Sequence, residues 1–177
     1  YHVPEIVKHK DAFTLCAVVD TNQDRLAEAK ETYGVSGYTD LSAMLTAEKP
    51  DLVVIASPTA FHADQAIAAL ESGADVLLDK PMAKDLESAR RIEAAVKRTG
   101  KKLTVYQPHR FTPEAAVVRR FLASGILGEI FQIKRSNCNY VRRNDWQSFL
   151  KNGGGMLLVL DIDHFKQVND RYGHLIG

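Results

Sequence analysis

The sequence predicts an α/β fold built on a doubly wound parallel sheet, because aliphatic runs alternate along the chain with stretches of helical period. Four runs are predicted strands: FTLCAVVD (13–20), DLVVIAS (51–57), ADVLLDK (74–80) and KLTVYQ (102–107). Three of them carry unbroken aliphatic residues, which indicates that helices cover both faces of the sheet.

Helices are predicted between these strands. Residues 26–33 and 86–96 carry apolar side chains at helical spacing, and each stretch is followed by a glycine, Gly34 or Gly100. The alanine-rich segment 63–73 is a third helix and also ends at a glycine. The strand and helix patterns together favour ligand binding outside the carboxyl ends of the strands.

The pattern changes after residue 107. Thr112 is a predicted helix cap and Pro113 the first helical residue, and an extended stretch, EIFQIKRSNCNY, follows at 129–140. These features predict the beginning of an α+β second domain. The glycine triplet 153–155 predicts a flexible break, and the residues beyond it differ in character.

Composition indicates a soluble globular protein without a strong electrostatic bias. The chain has 177 residues, 45% hydrophobic and 25% charged, and its formal charge is only +1. This balance gives no electrostatic case for binding nucleic acid or a membrane surface. No apolar run approaches the roughly 20 residues that span a bilayer, and the N-terminus lacks a signal-peptide core, so a cytoplasmic location is predicted.

Asp20 lies at the end of a predicted strand, just before a helix. In dinucleotide-binding folds an acid at this place accepts hydrogen bonds from the adenosine ribose hydroxyls. A simple helix cap explains the same residue equally well. If Asp20 is the ribose acid, a G-x-G-x-x-G loop should fall about 20 residues earlier, immediately before residue 1. We therefore expect a Rossmann-like fold that lacks its first strand and glycine-rich loop.

The segment SPTAFH follows the second aliphatic run directly and opens a helix. Its residues Ser57, Pro58, Thr59 and His62 are predicted to line a nucleotide crevice, because such crevices lie at the carboxyl ends of parallel strands. A plain turn followed by a helix cap is the competing interpretation, at about equal weight.

The next predicted strand ends in Asp79, Lys80 and Pro81, which we expect to face the same crevice. A lysine at this position can donate a hydrogen bond to a substrate hydroxyl or take part in proton transfer. A solvated surface charge is the more common role of a lysine at a strand end.

The order of these motifs is more specific than any one of them. An acid after the first predicted strand, then SPTxxH, DKP and QPHRFTP, resembles the family of glucose-fructose oxidoreductase, inositol dehydrogenase and MocA, over residues 1 to about 155. Asp79 replaces the glutamate usual in the family, and Gln107 stands near its usual asparagine. The resemblance implies NAD(P)-dependent hydride transfer at a sugar or polyol hydroxyl.

The resemblance also implies a role for each site residue. Asp20 becomes the ribose contact, Lys80 the catalytic lysine, and Arg110 a residue near the substrate; the remaining cofactor-binding residues are Ser57, Pro58, Thr59, His62, Asp79 and Pro81. NAD is expected rather than NADP, because Asp20 would repel a 2′-phosphate and neither Thr21 nor Asn22 is an arginine. A homo-oligomeric parent enzyme is implied as well.

The resemblance fails after the glycine triplet. Where the family continues GGGxLxDxGxHxxD, this chain has Val159, Asp161, Asp163 and Lys166 at the positions of Asp, Gly, His and Asp. Residues 157–177, LLVLDIDHFKQVNDRYGHLIG, instead resemble the start of a GGDEF diguanylate cyclase domain. That resemblance implies a magnesium ligand at Asp161 and a guanine contact at Asn169, but only in a complete domain.

Three predicted segments follow: a truncated dinucleotide-binding domain (1–107), the start of a substrate and dimerisation domain (108–155), and a GGDEF-like fragment (156–177). A dehydrogenase fragment is the leading hypothesis, since it rests on about 155 residues rather than 21. A diguanylate cyclase fragment and a non-catalytic nucleotide-binding module remain alternatives. We expect this chain alone to be inactive, because it lacks the phosphate loop and the catalytic histidine.

Overall fold

The computed structural model describes residues 2–134 and 149–152. The chain divides into two compact units, Tyr1–Val105 and Tyr106–Gly177. The predicted extended stretch at 129–140 lies partly outside the described residues. The glycine triplet and the GGDEF-like tail, with Asp161 and Asn169, lie entirely outside them.

Helices and strands alternate through the first unit. The helices are α1 (His2–Lys8), α2 (Gln23–Tyr33), α3 (Leu41–Glu48), α4 (His62–Glu71), α5 (Leu86–Thr99) and, in the second unit, α6 (Pro113–Ser124). The strands are β1 (Ala17–Val19), β2 (Ser36–Tyr38), β3 (Leu52–Ile55), β4 (Asp75–Asp79) and β5 (Leu103–Tyr106). Short 3₁₀ turns cover Thr59–Phe61, Pro108–Phe111 and Leu150–Asn152. No helix in the described part of the chain is long and apolar enough to cross a membrane.

The strands form two sheets, one of β1 and β2 and one in which β4 lies between β3 and β5. The pairing of β1 with β2 and of β3 with β4 is parallel. This confirms the predicted α/β class with parallel strands. The four predicted strands are all present, each somewhat shorter than its apolar run, whereas β2 and α3 were not predicted.

The strand β2 was missed because Ser36–Tyr38 contains no aliphatic residue. It pairs with β1, and Gly37 lets α2 pack closely against it, since a Cβ at Gly37 would lie 3.2 Å from the Cβ of Leu26. The Tyr38 hydroxyl donates a 2.6 Å hydrogen bond to Glu48 and so joins β2 to the end of α3. That hydrogen bond to the carboxylate is the main reason why the pKa of Tyr38 is raised.

Local capping explains where the helices begin and end. Asn22 accepts a 2.8 Å hydrogen bond from the Asp24 amide at the start of α2, and Gly34 ends that helix at φ 69°. The predicted cap of α6 is confirmed, because the Thr112 hydroxyl accepts from the Ala115 amide and Pro113 is the first helical residue. The sequence signals at Gly34, Thr112 and Pro113 are local, which is why the sequence predicted these helix ends. The alternative that Asp20 is a simple helix cap is wrong, because the side chain that caps α2 is that of Asn22.

The core of the first unit lies between the β3–β4–β5 sheet and the helices α4 and α5. Ala66 and Ala69 on α4 are completely buried, as are Ile92 and Ala95 on α5. Small side chains let the two helix backbones approach, and the larger side chains, such as Leu78 of β4, fill the remaining space. At the surface, Asp64 pairs with Arg91 at 2.7 Å, and Glu71 pairs with Arg98.

The helix α6 of the second unit carries an apolar face that is largely exposed within the described residues. Val118, Phe121 and Leu122 retain 43%, 50% and 41% of their accessible surface. Together with Leu127 and Phe131 they line a shallow apolar groove. The described part of the chain therefore leaves this face uncovered.

Replacing Ile92 by alanine should lower the free energy of unfolding by about 2–5 kcal/mol, since the side chain is fully buried and its removal leaves a cavity. The matched control is Leu86→Ala on the same helix. Leu86 is 66% exposed, so its loss should cost about 0.5 kcal/mol or less. Urea unfolding of both variants measures the difference, and similar losses would contradict the assigned core.

Asp85 caps α5 by accepting a 2.7 Å hydrogen bond from the Ser88 amide. This bond is the main cause that lowers the pKa of Asp85 below its ordinary 3.8. Since the folded pKa is the lower one, the carboxylate contributes stability above pH 3.8, and that contribution is lost as the pH falls through the folded pKa.

Asp85→Asn should therefore be less stable than the wild type near neutral pH and equally stable in acid. Asparagine can make the same cap hydrogen bond, so only the charge is removed. Thermal unfolding between pH 2 and pH 7 measures the gap between the two proteins. A gap that does not change with pH would show that the carboxylate charge adds nothing to the cap.

Candidate functional site

Two turns lie side by side at the carboxyl ends of β3 and β4. The parallel register pairs Ile55 with Leu78, the residues that come shortly before the predicted Ser57 and Lys80 motifs. Because the strands are parallel neighbours, both turns leave the sheet at the same edge. This is the place where open α/β sheets bind ligands.

Ser57, Pro58 and Thr59 form the first of these turns. The Ser57 hydroxyl donates a 2.6 Å hydrogen bond to the side-chain oxygen of Gln65 on α4, which fixes the start of the turn. Thr59 is 1% exposed, and its hydroxyl is a buried polar side-chain atom without a hydrogen-bond partner in the described part of the chain. Leaving a buried hydroxyl unpaired is costly, so this oxygen fits a contact with a polar group that the described residues do not supply.

Asp79, Lys80 and Pro81 form the second turn. The Lys80 amide donates a 2.8 Å hydrogen bond to the Asp79 carboxylate, and the Lys80–Pro81 peptide is cis. The Lys80 side chain is exposed, and no hydrogen bond or ion pair of its ammonium is found among the described residues. The turn thus holds the lysine backbone and leaves the ammonium available.

His62, the first residue of α4, lies behind the two turns and is 1% exposed. Its Nδ1 is 2.9 Å from the Pro81 carbonyl oxygen, and its Nε2 is 2.8 Å from the Ser57 carbonyl oxygen. The ring therefore contacts both turns with its two nitrogens. It is buried beneath the crevice edge and does not stand open on its surface.

Asp20 follows β1 and has both carboxylate oxygens engaged. One accepts a 2.8 Å hydrogen bond from the Asn22 amide, and the other lies 3.2 Å from Nη1 of Arg25. The carboxylate is 31% exposed, which leaves it accessible to a ligand hydroxyl. The two contacts hold it in one orientation, as a site for ribose hydroxyls requires.

Comparison with known proteins assigns this arrangement to a family. Residues 1–107 match the family model described as an oxidoreductase family with an NAD-binding Rossmann fold. The chain belongs to this family. Residues 139–177 match a second model, the GGDEF domain of diguanylate cyclases. This match starts well before residue 156, where the sequence predicted the GGDEF-like fragment to begin.

The relatives of this chain include proteins named as dehydrogenases. D-glucoside 3-dehydrogenase of Escherichia coli K12 is 34% identical over 152 residues, which are 84% of this chain and 43% of that protein. Inositol 2-dehydrogenase of Corynebacterium glutamicum strain R is 30% identical over 84% of this chain and 45% of its own length. The chain thus spans less than half the length of these curated relatives.

Solved structures agree with the fold of the oxidoreductase family. The WlbA dehydrogenase of Bordetella pertussis, in complex with NADH and UDP-GlcNAcA, is 31% identical with a TM-score of 0.68, over 72% of this chain and 39% of that one. The scyllo-inositol dehydrogenase of Lactobacillus casei, with bound NAD(H) and scyllo-inositol, is 25% identical with a TM-score of 0.68, over 72% of this chain and 38% of that one.

The structure describes Arg110 within the second unit, whereas Asp161 and Asn169 lie outside the described residues. Arg110 lies exposed in the 3₁₀ turn Pro108–Phe111 of the second unit, and its carbonyl oxygen accepts a hydrogen bond from Arg119. Within residues 2–134 and 149–152, no group of three or more His, Cys, Asp or Glu side chains could hold a metal ion.

Two residues at the site were missed by sequence reasoning. Arg25 pairs with Asp20, whereas the sequence analysis considered only Thr21 and Asn22 after Asp20. The signal was available, because Asn22 caps a helix and Arg25 stands in its first turn, where the chain folds back toward the strand end. Gln65, the partner of Ser57, had no comparable signal, since its role depends on the helix following the turn.

Proposed function

We propose that this chain forms the cofactor-binding part of an NAD-dependent oxidoreductase that transfers a hydride between the nicotinamide ring and a sugar or polyol hydroxyl. The observation that carries the proposal is the side-by-side position of the Ser57 turn and the Lys80 turn at one edge of a parallel sheet. Membership of the NAD-binding family supports the cofactor. The glucoside in the name of one relative and the inositol bound to another support the substrate class.

In this proposal Asp20 accepts hydrogen bonds from the adenosine ribose hydroxyls. Its fixed, partly exposed carboxylate fits that task, because both contacts of its oxygens still leave lone pairs free. Ser57, Pro58 and Thr59 line the crevice on one side, with Asp79 and Pro81 on the other and His62 behind them. The unpaired Thr59 hydroxyl supports a polar ligand group at this turn.

Lys80 is proposed as the catalytic residue. When bound, the nicotinamide ring supplies the site that accepts or releases the hydride. In the reducing direction the Lys80 ammonium would donate a proton to the carbonyl oxygen as the hydride adds to the carbonyl carbon, and in the oxidising direction the neutral amine would accept the proton of the carbinol hydroxyl as the hydride leaves. Arg110 is proposed to contact the substrate, and the parent enzyme is proposed to be a cytoplasmic homo-oligomer.

The match of residues 139–177 to the GGDEF model favours a second candidate, a fragment of a diguanylate cyclase signalling protein. In a complete domain of that kind Asp161 would hold magnesium and Asn169 would contact guanine. Carboxylate oxygens are suitable magnesium ligands. The oxidoreductase match is far longer, so we propose the cyclase activity only for a chain that carries the rest of that domain.

The printed chain contains no G-x-G-x-x-G motif. Backbone amides of such a loop normally bind the pyrophosphate of the cofactor. We therefore expect this chain by itself to bind NAD weakly and to be inactive. A functional test needs a partner sequence that supplies the loop and the rest of the substrate domain.

The test is a chimera in which residues 2–107 replace the matching segment of E. coli D-glucoside 3-dehydrogenase. Lys80→Ala in this chimera should lower kcat by about 10²–10⁴-fold, because the group that assists proton transfer is lost. The Kd for NADH should stay within about twofold, because the lysine acts at the reacting carbon and not at the adenosine half.

Lys84→Ala is the matched control, since Lys84 is an exposed lysine near the same turn. It should leave kcat and the Kd for NADH unchanged. Steady-state kinetics and NADH fluorescence titration measure both quantities. If Lys80→Ala keeps the full kcat, Lys80 is a surface charge and the catalytic assignment is wrong.

Cofactor choice gives a further prediction. Asp20→Ser in the chimera should reduce the ratio of the NADP Kd to the NAD Kd by about tenfold or more, because a repelling carboxylate is removed and Arg25 becomes free to bind the 2′-phosphate. Asp20→Ser combined with Arg25→Ala should keep the part of the gain that comes from removing the carboxylate and lose the part that comes from Arg25. An undiminished gain in the double variant would exclude Arg25, and tighter NADP binding by the parent chimera would overturn the NAD assignment.

A further inference from the structure

The buried ring of His62 is the one side chain in the described part of the chain whose polar atoms contact both crevice turns. Its contacts are main-chain carbonyl oxygens, 2.9 Å away at Pro81 and 2.8 Å away at Ser57. Pro81 is 19 residues from His62 along the chain, so that contact joins segments that are distant in sequence. A buried polar cross-link of this kind specifies geometry, because an apolar side chain of equal size would leave both carbonyls without it.

The chemistry of the two contacts limits what the ring does. Carbonyl oxygens only accept hydrogen bonds, so each contact requires a proton on the ring nitrogen. A neutral imidazole carries one N–H and satisfies one carbonyl, whereas the doubly protonated ring satisfies both. In each case the ring donates to at least one of the two turns and presents no nitrogen to solvent, since His62 is 1% exposed.

The Pro81 contact matters most for Lys80. The Lys80 amide is held by Asp79 at 2.8 Å on one side, and His62 holds the carbonyl of the next residue on the other. Two hydrogen bonds therefore fix the backbone on either side of the lysine, while its ammonium is unpaired among the described residues. A fixed backbone with a free side-chain end is what a preorganised donor needs.

We propose that His62 is a positioning residue for Lys80, acting through a proton on Nδ1 that it donates to the Pro81 carbonyl oxygen. His62 thus has no direct contact with the cofactor or the substrate in this proposal. It keeps the Lys80 turn in register with the Ser57 turn. The inference rests on the proposed function only for the role of Lys80 as the lysine at the reacting carbon. The experiment that tests it needs no cofactor.

Two substitutions separate the contacts. The amide nitrogen of asparagine is as many bonds from Cα as Nδ1 of histidine, so His62→Asn keeps a donor toward Pro81. The amide nitrogen of glutamine corresponds in the same way to Nε2, so His62→Gln keeps a donor toward Ser57. Both variants replace the ring by a neutral side-chain amide and differ in which donor position they keep. Each is therefore the control for the other.

The experiment measures amide hydrogen exchange and amide NMR resonances of the full 177-residue chain. In His62→Gln, exchange of the Lys80 amide should rise about tenfold and the Lys80 and Met82 resonances should shift, because the hydrogen bond that fixes their turn is lost. In His62→Asn the rate should stay within about twofold of the wild type. Exchange of β4 amides away from the turn, such as that of Leu77, should change in neither.

Equal disturbance of the Lys80 turn by both variants would overturn the proposal, as would no disturbance by either. If a variant fails to fold, the wild-type chain still decides the question through the nitrogen NMR signals of the His62 ring. A proton on Nδ1 is expected, and a bare Nδ1 would overturn the proposal. A failed Lys80→Ala test in the chimera would remove the proposed function but leave these readouts unaffected.

Discussion

The parallel pairing of β3 with β4 is the constraint on which the candidate site depends. Its register sets Ile55 opposite Leu78, and the contacts of His62 with the Ser57 and Lys80 turns follow from the chain leaving both strands at one edge. A slip by one residue would turn each side chain to the other face of the sheet. The side chains of Val53, Val76 and Leu78, which are buried, would then face away from the core. Burial of these side chains therefore stabilises the register on which the site depends.

The packing of α4 on α5 fixes the pair of strands from one side, and magnitudes show which interaction dominates. The ion pairs Asp64–Arg91 and Glu71–Arg98 are more than half exposed, and exposed pairs contribute about 0.2–1 kcal/mol each. Burial of a side chain such as Ile92 contributes about 1.5–3 kcal/mol. Apolar burial therefore holds the helices together, while the two ion pairs favour one alignment along them.

Sequence patterns predicted what local rules control. The strands around Val53 and Val76 followed from aliphatic runs, and the cap at Thr112 followed from residue type and spacing. The strand Ser36–Tyr38 escaped prediction because it contains no aliphatic residue, and its close packing against α2 at Gly37 is a tertiary effect. His62 was predicted at the site, but its two carbonyl contacts depend on how two turns meet, and no periodicity in the sequence encodes that.

The division into two sheets bears on how the proposed roles combine. The classic dinucleotide-binding order is 3-2-1-4-5-6. The described strands β2 and β1 correspond to strands 3 and 2 of that order, and β3, β4 and β5 correspond to strands 4, 5 and 6. None of the described strands corresponds to strand 1, which would separate β1 from β3 in the sheet. Asp20 follows β1, whereas the Ser57 and Lys80 turns follow β3 and β4, so the proposed ribose and hydride-transfer positions belong to different sheets. A cofactor bound as proposed would therefore link the two sheets. It would stabilise their relative arrangement as well as occupy the crevice, because a ligand that binds only the assembled form favours that form.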